Sequence, residues 1–95
     1  MAAFHCVMFQ LVDASSAPQV VQILRGMEGK LETLLSIEVG TDVTRNPERS
    51  FDVFLRTEHA SWDGYVAYRD HPLHQEVLKA LKPLVQRSVA VDYDG

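Results

Sequence analysis

Tyr68-Arg69-Asp70-His71-Pro72-Leu73-His74 is the stretch on which the fold turns, and it holds two of the four histidines in the chain. A proline pushes its predecessor out of the helical region of backbone space and is itself well suited to the first turn of a new helix. His71 is therefore expected to cap a helix that begins at Pro72, with His74 in its first turn. Counted at 100° per residue, the apolar positions of that helix are Leu73, Val77, Leu78, Leu81, Leu84 and Val85. His74 falls in the middle of the same arc. An imidazole is thus carried toward the interior at the electropositive end of a helix, where the charged ring is disfavoured and a neutral one is expected.

Working outward, Ser61 caps a short preceding helix with Asp63 in its first turn. Its inner stripe is expected to be Trp62, Tyr65, Val66 and Arg69, with Tyr68 at the edge. Downstream, Pro83 removes a backbone donor and ends the His74 helix near Lys82. A strand from Ser88 to Tyr93 follows, with Val89, Val91 and Tyr93 on one face. Upstream, Phe51, Val53 and Leu55 alternate with polar or opposite-facing residues, as do Leu35, Ile37 and Val39, and each run reads as a strand. The segment from Thr44 to Arg49 between them is a turn.

Near the beginning, Pro18 opens a helix behind the cap candidates Ser15 and Ser16. Val20, Leu24, Met27 and Leu31 follow at helical spacing, and Gly26 and Gly29 weaken its last turn. Residues 4 to 12 form a strand that is largely apolar on both faces: Phe4, Cys6 and Met8 on one, His5, Val7, Phe9 and Leu11 on the other. Such a strand belongs in the middle of a sheet covered on both sides. The order β-α-β-β-α-β is the ferredoxin-like plan, an α+β fold with a four-stranded antiparallel sheet, helices on one face, and the first and third strands central. Residues 1–95 are read as a single domain. The sheet face without helices would expose an extended apolar patch on a monomer. A second copy packed sheet to sheet would cover it, so a homodimer closing into an α/β barrel is expected.

Composition narrows the function classes. The chain has 95 residues, 46% hydrophobic, a formal net charge of −4 and one cysteine, Cys6. No apolar run approaches the roughly 20 residues of a membrane span, and none reads as a signal peptide. Acids and bases are scattered, which argues against a nucleic-acid surface. A lone, mid-strand cysteine forms no internal disulfide and is expected to be buried and inert, in keeping with a cytoplasmic setting.

Phe4-His5-Cys6-Val7-Met8-Phe9, Val39-Gly40-Thr41-Asp42, Tyr68-x-x-His71-Pro72-x-His74 and Val91-Asp92-Tyr93, in that order, resemble the stress-responsive α/β barrel family of the dimeric α/β barrel superfamily. The likeness spans almost the whole chain. One plant branch of that family is similar to olivetolic acid cyclase, where the tyrosine and second histidine of the stretch act in catalysis; they match Tyr68 and His74. The resemblance then implies that His74 abstracts a proton next to a carbonyl, Tyr68 donates to the developing oxyanion, and His5 positions the substrate.

The expected ligand pocket lies between sheet and helices, lined by His5, Val7, Leu24, Met27, His71 and Leu78 beside Tyr68 and His74. His71 and His74 have a spacing found in metal sites, with His5 as a conceivable third ligand, but no carboxylate is placed with them and capping explains the spacing, so no metal is expected. The aromatic residues read as core or dimer contacts, so no cofactor is expected either, and His59 reads as a solvated loop residue. Three functions stand side by side: a small-molecule-binding homodimer, a cofactor-free enzyme of the cyclase or monooxygenase kind, and a structural, stress-protective protein without a ligand.

Overall fold

Residues 2–95 are described by a computed structural model. Strand β1 is Ala3–Leu11; a short 3-10 turn at Ala14–Ser16 leads into helix α1, Ala17–Arg25. Then come β2, Ser36–Thr41; β3, Val53–His59; α2, Trp62–Asp70; α3, Pro72–Leu81; and β4, Val85–Asp94. The sheet order is β2-β3-β1-β4 and every pair is antiparallel. This is the ferredoxin-like arrangement, with the second helical region broken at His71 and the first and third strands central.

The two faces of the sheet have different fates. His5, Val7, Phe9 and Leu11 of β1 lie beside Val53, Leu55 and Thr57 of β3 under the helices. The apolar residues among them pack with Val20 and Leu24 of α1 and Val77 and Leu81 of α3 into one core. Burying each such aliphatic side chain contributes roughly 1.5–3 kcal/mol. The opposite face pairs Phe4 with Tyr93, Cys6 with Val91 and Met8 with Val89. No element among the described residues covers it: Val91 is 65% exposed, and Met8, Val89 and Tyr93 each more than 40%. Cys6 lies on this face, half-buried and not in the core.

Several elements depart from the sequence reading. Helix α1 stops at Arg25, and Met27, Leu31 and Leu34 enter the core from the turn that follows, where Gly29 takes a φ of 75°. Helical spacing of Met27 and Leu31 thus reported burial, not helix. Neither serine caps α1 by its side chain; Asp13 instead accepts the Ser15 N–H at 2.9 Å at the head of the 3-10 turn. Leu35 precedes β2 and is 56% exposed, and Phe51 lies before β3. Strand β4 runs longer than Ser88–Tyr93 because β1 pairs with it along its whole length, through an irregularity at Gln10/Leu11.

Helix α2 is turned relative to its expected phase. Tyr68, not the stripe of Trp62, Val66 and Arg69, is the residue buried from this helix. Few of its positions are strongly apolar, so counting around the axis had little to fix on. On α3, Val77 and Leu81 are buried while Leu78 is 46% exposed. His59, read as a solvated loop residue, is the last residue of β3 and fully buried. Alternation carried past Leu55 through Thr57 puts it on the helix-covered face.

Candidate functional site

The junction between α2 and α3 builds the site. His71 adopts extended backbone angles, φ −66° and ψ 140°, and its ring Nδ1 accepts the Leu73 N–H at 3.0 Å. In an unbroken helix that N–H would bond the carbonyl of Arg69. The break leaves this carbonyl free, and two side chains take it: His74 donates from Nδ1 and Gln75 from Nε2, both at 2.9 Å. The bond fixes the His74 tautomer, with the proton on Nδ1 and the lone pair on Nε2. Burial holds the His74 pKa below its ordinary 6.5, against the opposing pull of the Arg69 carbonyl. The neutral imidazole expected at this position is thus produced chiefly by desolvation.

Beside it stands Tyr68, with ring centroids 4.6 Å apart. Tyr68 is 1% exposed, and its hydroxyl is buried with no hydrogen-bond partner among the described residues. Such a group carries a cost of about 1–3 kcal/mol, so its presence calls for a reason. Burial also raises its pKa far above the ordinary 10, which keeps the hydroxyl protonated and a donor. Tyr68 and His74 share the wall of a cavity of about 210 Å³ between sheet and helices. Its apolar wall includes Val7, Leu24, Met27, Leu55, Val77 and Leu78; Ser88 and Ala90 of β4 flank it.

A third polar group enters from the sheet. His5, half-buried on β1, lies opposite Asp92 on β4, and its Nδ1 donates to the Asp92 carboxylate. The aspartate orients the ring. Asp94, two residues on, accepts the Trp62 indole N–H at 2.7 Å, so the end of β4 is tied to both β1 and α2. Between these anchors the rings run inward in contact, Trp62 to Tyr65 at 5.8 Å and Tyr65 to Tyr68 at 6.2 Å. Tyr65 also packs on His5 at 5.0 Å.

Of the residues singled out in the sequence, the cavity brings together His5, Val7, Leu24, Met27, Tyr68, His74 and Leu78. His71 is set apart: it is exposed, outside the cavity wall, and engaged as a helix cap. Among the described residues no group of three or more His, Cys, Asp or Glu side chains is placed to hold a metal ion. His59 is the residue that the sequence reading passed over. Its ring lies 4.7 Å from Tyr68 and 5.6 Å from Tyr65. The signal available was its even spacing from Val53, Leu55 and Thr57.

The fold agrees with what comparison shows. Residues 3–94 match the model of the Stress responsive A/B Barrel Domain. The chain belongs to that family. A stress-response A/B barrel domain-containing protein of Arabidopsis thaliana is 24% identical over 91 residues, covering 94% of this chain and 82% of that one. Among solved structures, a dimeric ferredoxin-like protein of unknown function from Thermobifida fusca superposes with a TM-score of 0.86 at 24% identity, covering all of this chain and 92% of that one. Hydroxynitrile lyase from Passiflora edulis superposes with a TM-score of 0.79 at 15% identity, covering 97% and 91%. At these identities the structural likeness speaks for the fold of the stress responsive A/B barrel. Among the described residues of this family member, no helix is long and apolar enough to cross a membrane.

Proposed function

We propose that this stress responsive A/B barrel protein is a homodimer whose subunits each bind a small, largely apolar molecule by an oxygen atom, in the cavity under α3. One observation carries the reading: a buried, protonated Tyr68 hydroxyl without a partner among the described residues, on the wall of a cavity that is otherwise mostly apolar. A ligand carbonyl or hydroxyl oxygen would complete it. His74, with Nε2 unengaged by its bond to Arg69, and His5, oriented by Asp92, supply further polar contacts. The apolar sheet face supports the dimer, as does the dimeric state ascribed to the Thermobifida protein.

The experiment is a set of small ketones and aldehydes titrated against the wild type and Tyr68→Phe by NMR. Binding that perturbs cavity resonances in the wild type and weakens about tenfold in the folded variant, the equivalent of one hydrogen bond, supports the reading. Equal binding by both proteins refutes it.

A second reading, a cofactor-free enzyme, is favoured by the same pair of rings. A neutral His74 beside a protonated Tyr68 can take a proton from carbon next to a carbonyl while the phenol stabilises the resulting oxyanion. The lyase named for the Passiflora structure shows that such a fold can host catalysis. Loss of solvent deuterium exchange at the α-carbon of a bound ketone in His74→Gln, with binding retained, distinguishes turnover from binding alone.

A further inference from the structure

We propose that His59 is a positioning residue for Tyr68, fixing the phenol and leaving its hydroxyl uncommitted for a ligand. The inference rests on the cavity reading for the identity of the ligand site, but not for the placement of the ring. His59 is fully buried, and both its nitrogens are engaged within the protein. Nδ1 donates to the Thr33 carbonyl at 2.6 Å, and the Thr57 hydroxyl donates to Nε2 at 2.9 Å. These two bonds come from different elements, the connection before β2 and the strand β3. Together they lock the tautomer and the plane of the ring.

A buried histidine is an expensive way merely to fill space, because an apolar side chain would need no partners at all. What the doubly held imidazole adds is a rigid surface in a set orientation. Tyr68 packs on that surface at 4.7 Å and on His74 at 4.6 Å. Hydrogen-bonding capacity matters as much as shape. A buried phenol beside an imidazole nitrogen with a free lone pair would donate to it and satisfy itself. Here the lone pair of His59 already accepts from Thr57, and the free lone pair of His74 Nε2 takes no bond from the Tyr68 hydroxyl. Thr57 therefore acts on Tyr68 through His59: its hydroxyl occupies the acceptor that this ring would otherwise offer.

The test uses the whole chain labelled with [ζ-13C]tyrosine, the Tyr68 signal being assigned by its loss in Tyr68→Phe, with 2-heptanone as the carbonyl probe. Thr57→Val removes one hydroxyl at nearly constant volume, and His59→Phe keeps a ring but deletes both bonds. The Tyr68 resonance is expected to move in each folded variant while that of Tyr93, on the opposite sheet face, stays. Affinity for 2-heptanone is expected to fall about tenfold in each, one hydrogen bond's worth. An unmoved Tyr68 resonance in folded Thr57→Val overturns the inference, whether or not His59→Phe folds. A wild type that ignores the ketone, with Tyr68 still displaced in the variants, refutes the cavity reading and supports the positioning role. Normal ketone binding with Tyr68 undisturbed by either substitution does the reverse.

Discussion

His74 and Tyr68 pack ring against ring at 4.6 Å, although they belong to two helices separated by a capping histidine and a proline. The carbonyl released by that break holds the first ring, and the hydroxyl of the second bonds to none of the described residues. Stability and availability are therefore in tension at one point.

That tension predicts the behaviour of Tyr68→Phe. Removing an unpaired buried hydroxyl relieves a penalty and leaves the packing surface intact. Unfolding in urea should show the variant as stable as the wild type, or more stable by up to about 1 kcal/mol. A loss of more than about 1 kcal/mol would mean that the hydroxyl has an intramolecular partner after all.

Stability should also fall on mild acidification. Burial holds His59 and His74 below the ordinary 6.5, so the unfolded chain takes up protons that the folded chain refuses as pH drops through that value. The unfolded state then binds more protons, the slope of stability with pH is positive, and stability is full above 6.5 and lost progressively below it. Asp13 and Asp42, whose pKa values are lowered by hydrogen bonds, act in a separate window from 3.8 downward. Urea midpoints between about pH 7 and pH 5 isolate the histidines. The double variant His59→Gln, His74→Gln should show a flatter profile there.

His71 is a cap in this structure, and its replacement tests that role separately from the cavity. His71→Ala leaves the Leu73 N–H without its acceptor and should cost about 0.5–2 kcal/mol. His71→Asn, which restores a capping oxygen, should recover most of the loss in urea unfolding. Ketone affinity should stay within about twofold of the wild type once folding is allowed for, because the side chain lies off the cavity wall.

The uncovered sheet face makes the last prediction. Val91, on the edge strand β4, is opposite Cys6 and 65% exposed in the single subunit. Val91→Glu would bury an unpaired carboxylate against a second copy, at several kcal/mol. Sedimentation should show a dimer for the wild type and a monomer for the variant. A wild-type monomer at micromolar concentration would remove the dimer from the proposal and leave the cavity to be judged by itself.

Much of this was legible in the residues because it is local or strictly periodic. The His71-Pro72 pair determined the break between α2 and α3, since proline restricts both its own backbone and that of its neighbour. Apolar residues on both sides of β1 placed it centrally and marked the second face that wants a cover, and the ferredoxin-like order placed β3 beside it. Tyr68, His74, His5 and the aliphatic residues facing them could be grouped in advance. What the tertiary structure alone decided was the rotation of α2, which buries Tyr68, and the pairing that makes a buried His59 tolerable. Both depend on long-range partners: the Thr33 carbonyl that accepts from His59 is 26 residues away in the chain. Asp92 meets His5 only because β4 returns beside β1. Periodicity reports which side of an element faces inward, but a polar side chain on that side is tolerated only when such partners arrive, and their arrival is a property of the assembled sheet and helices.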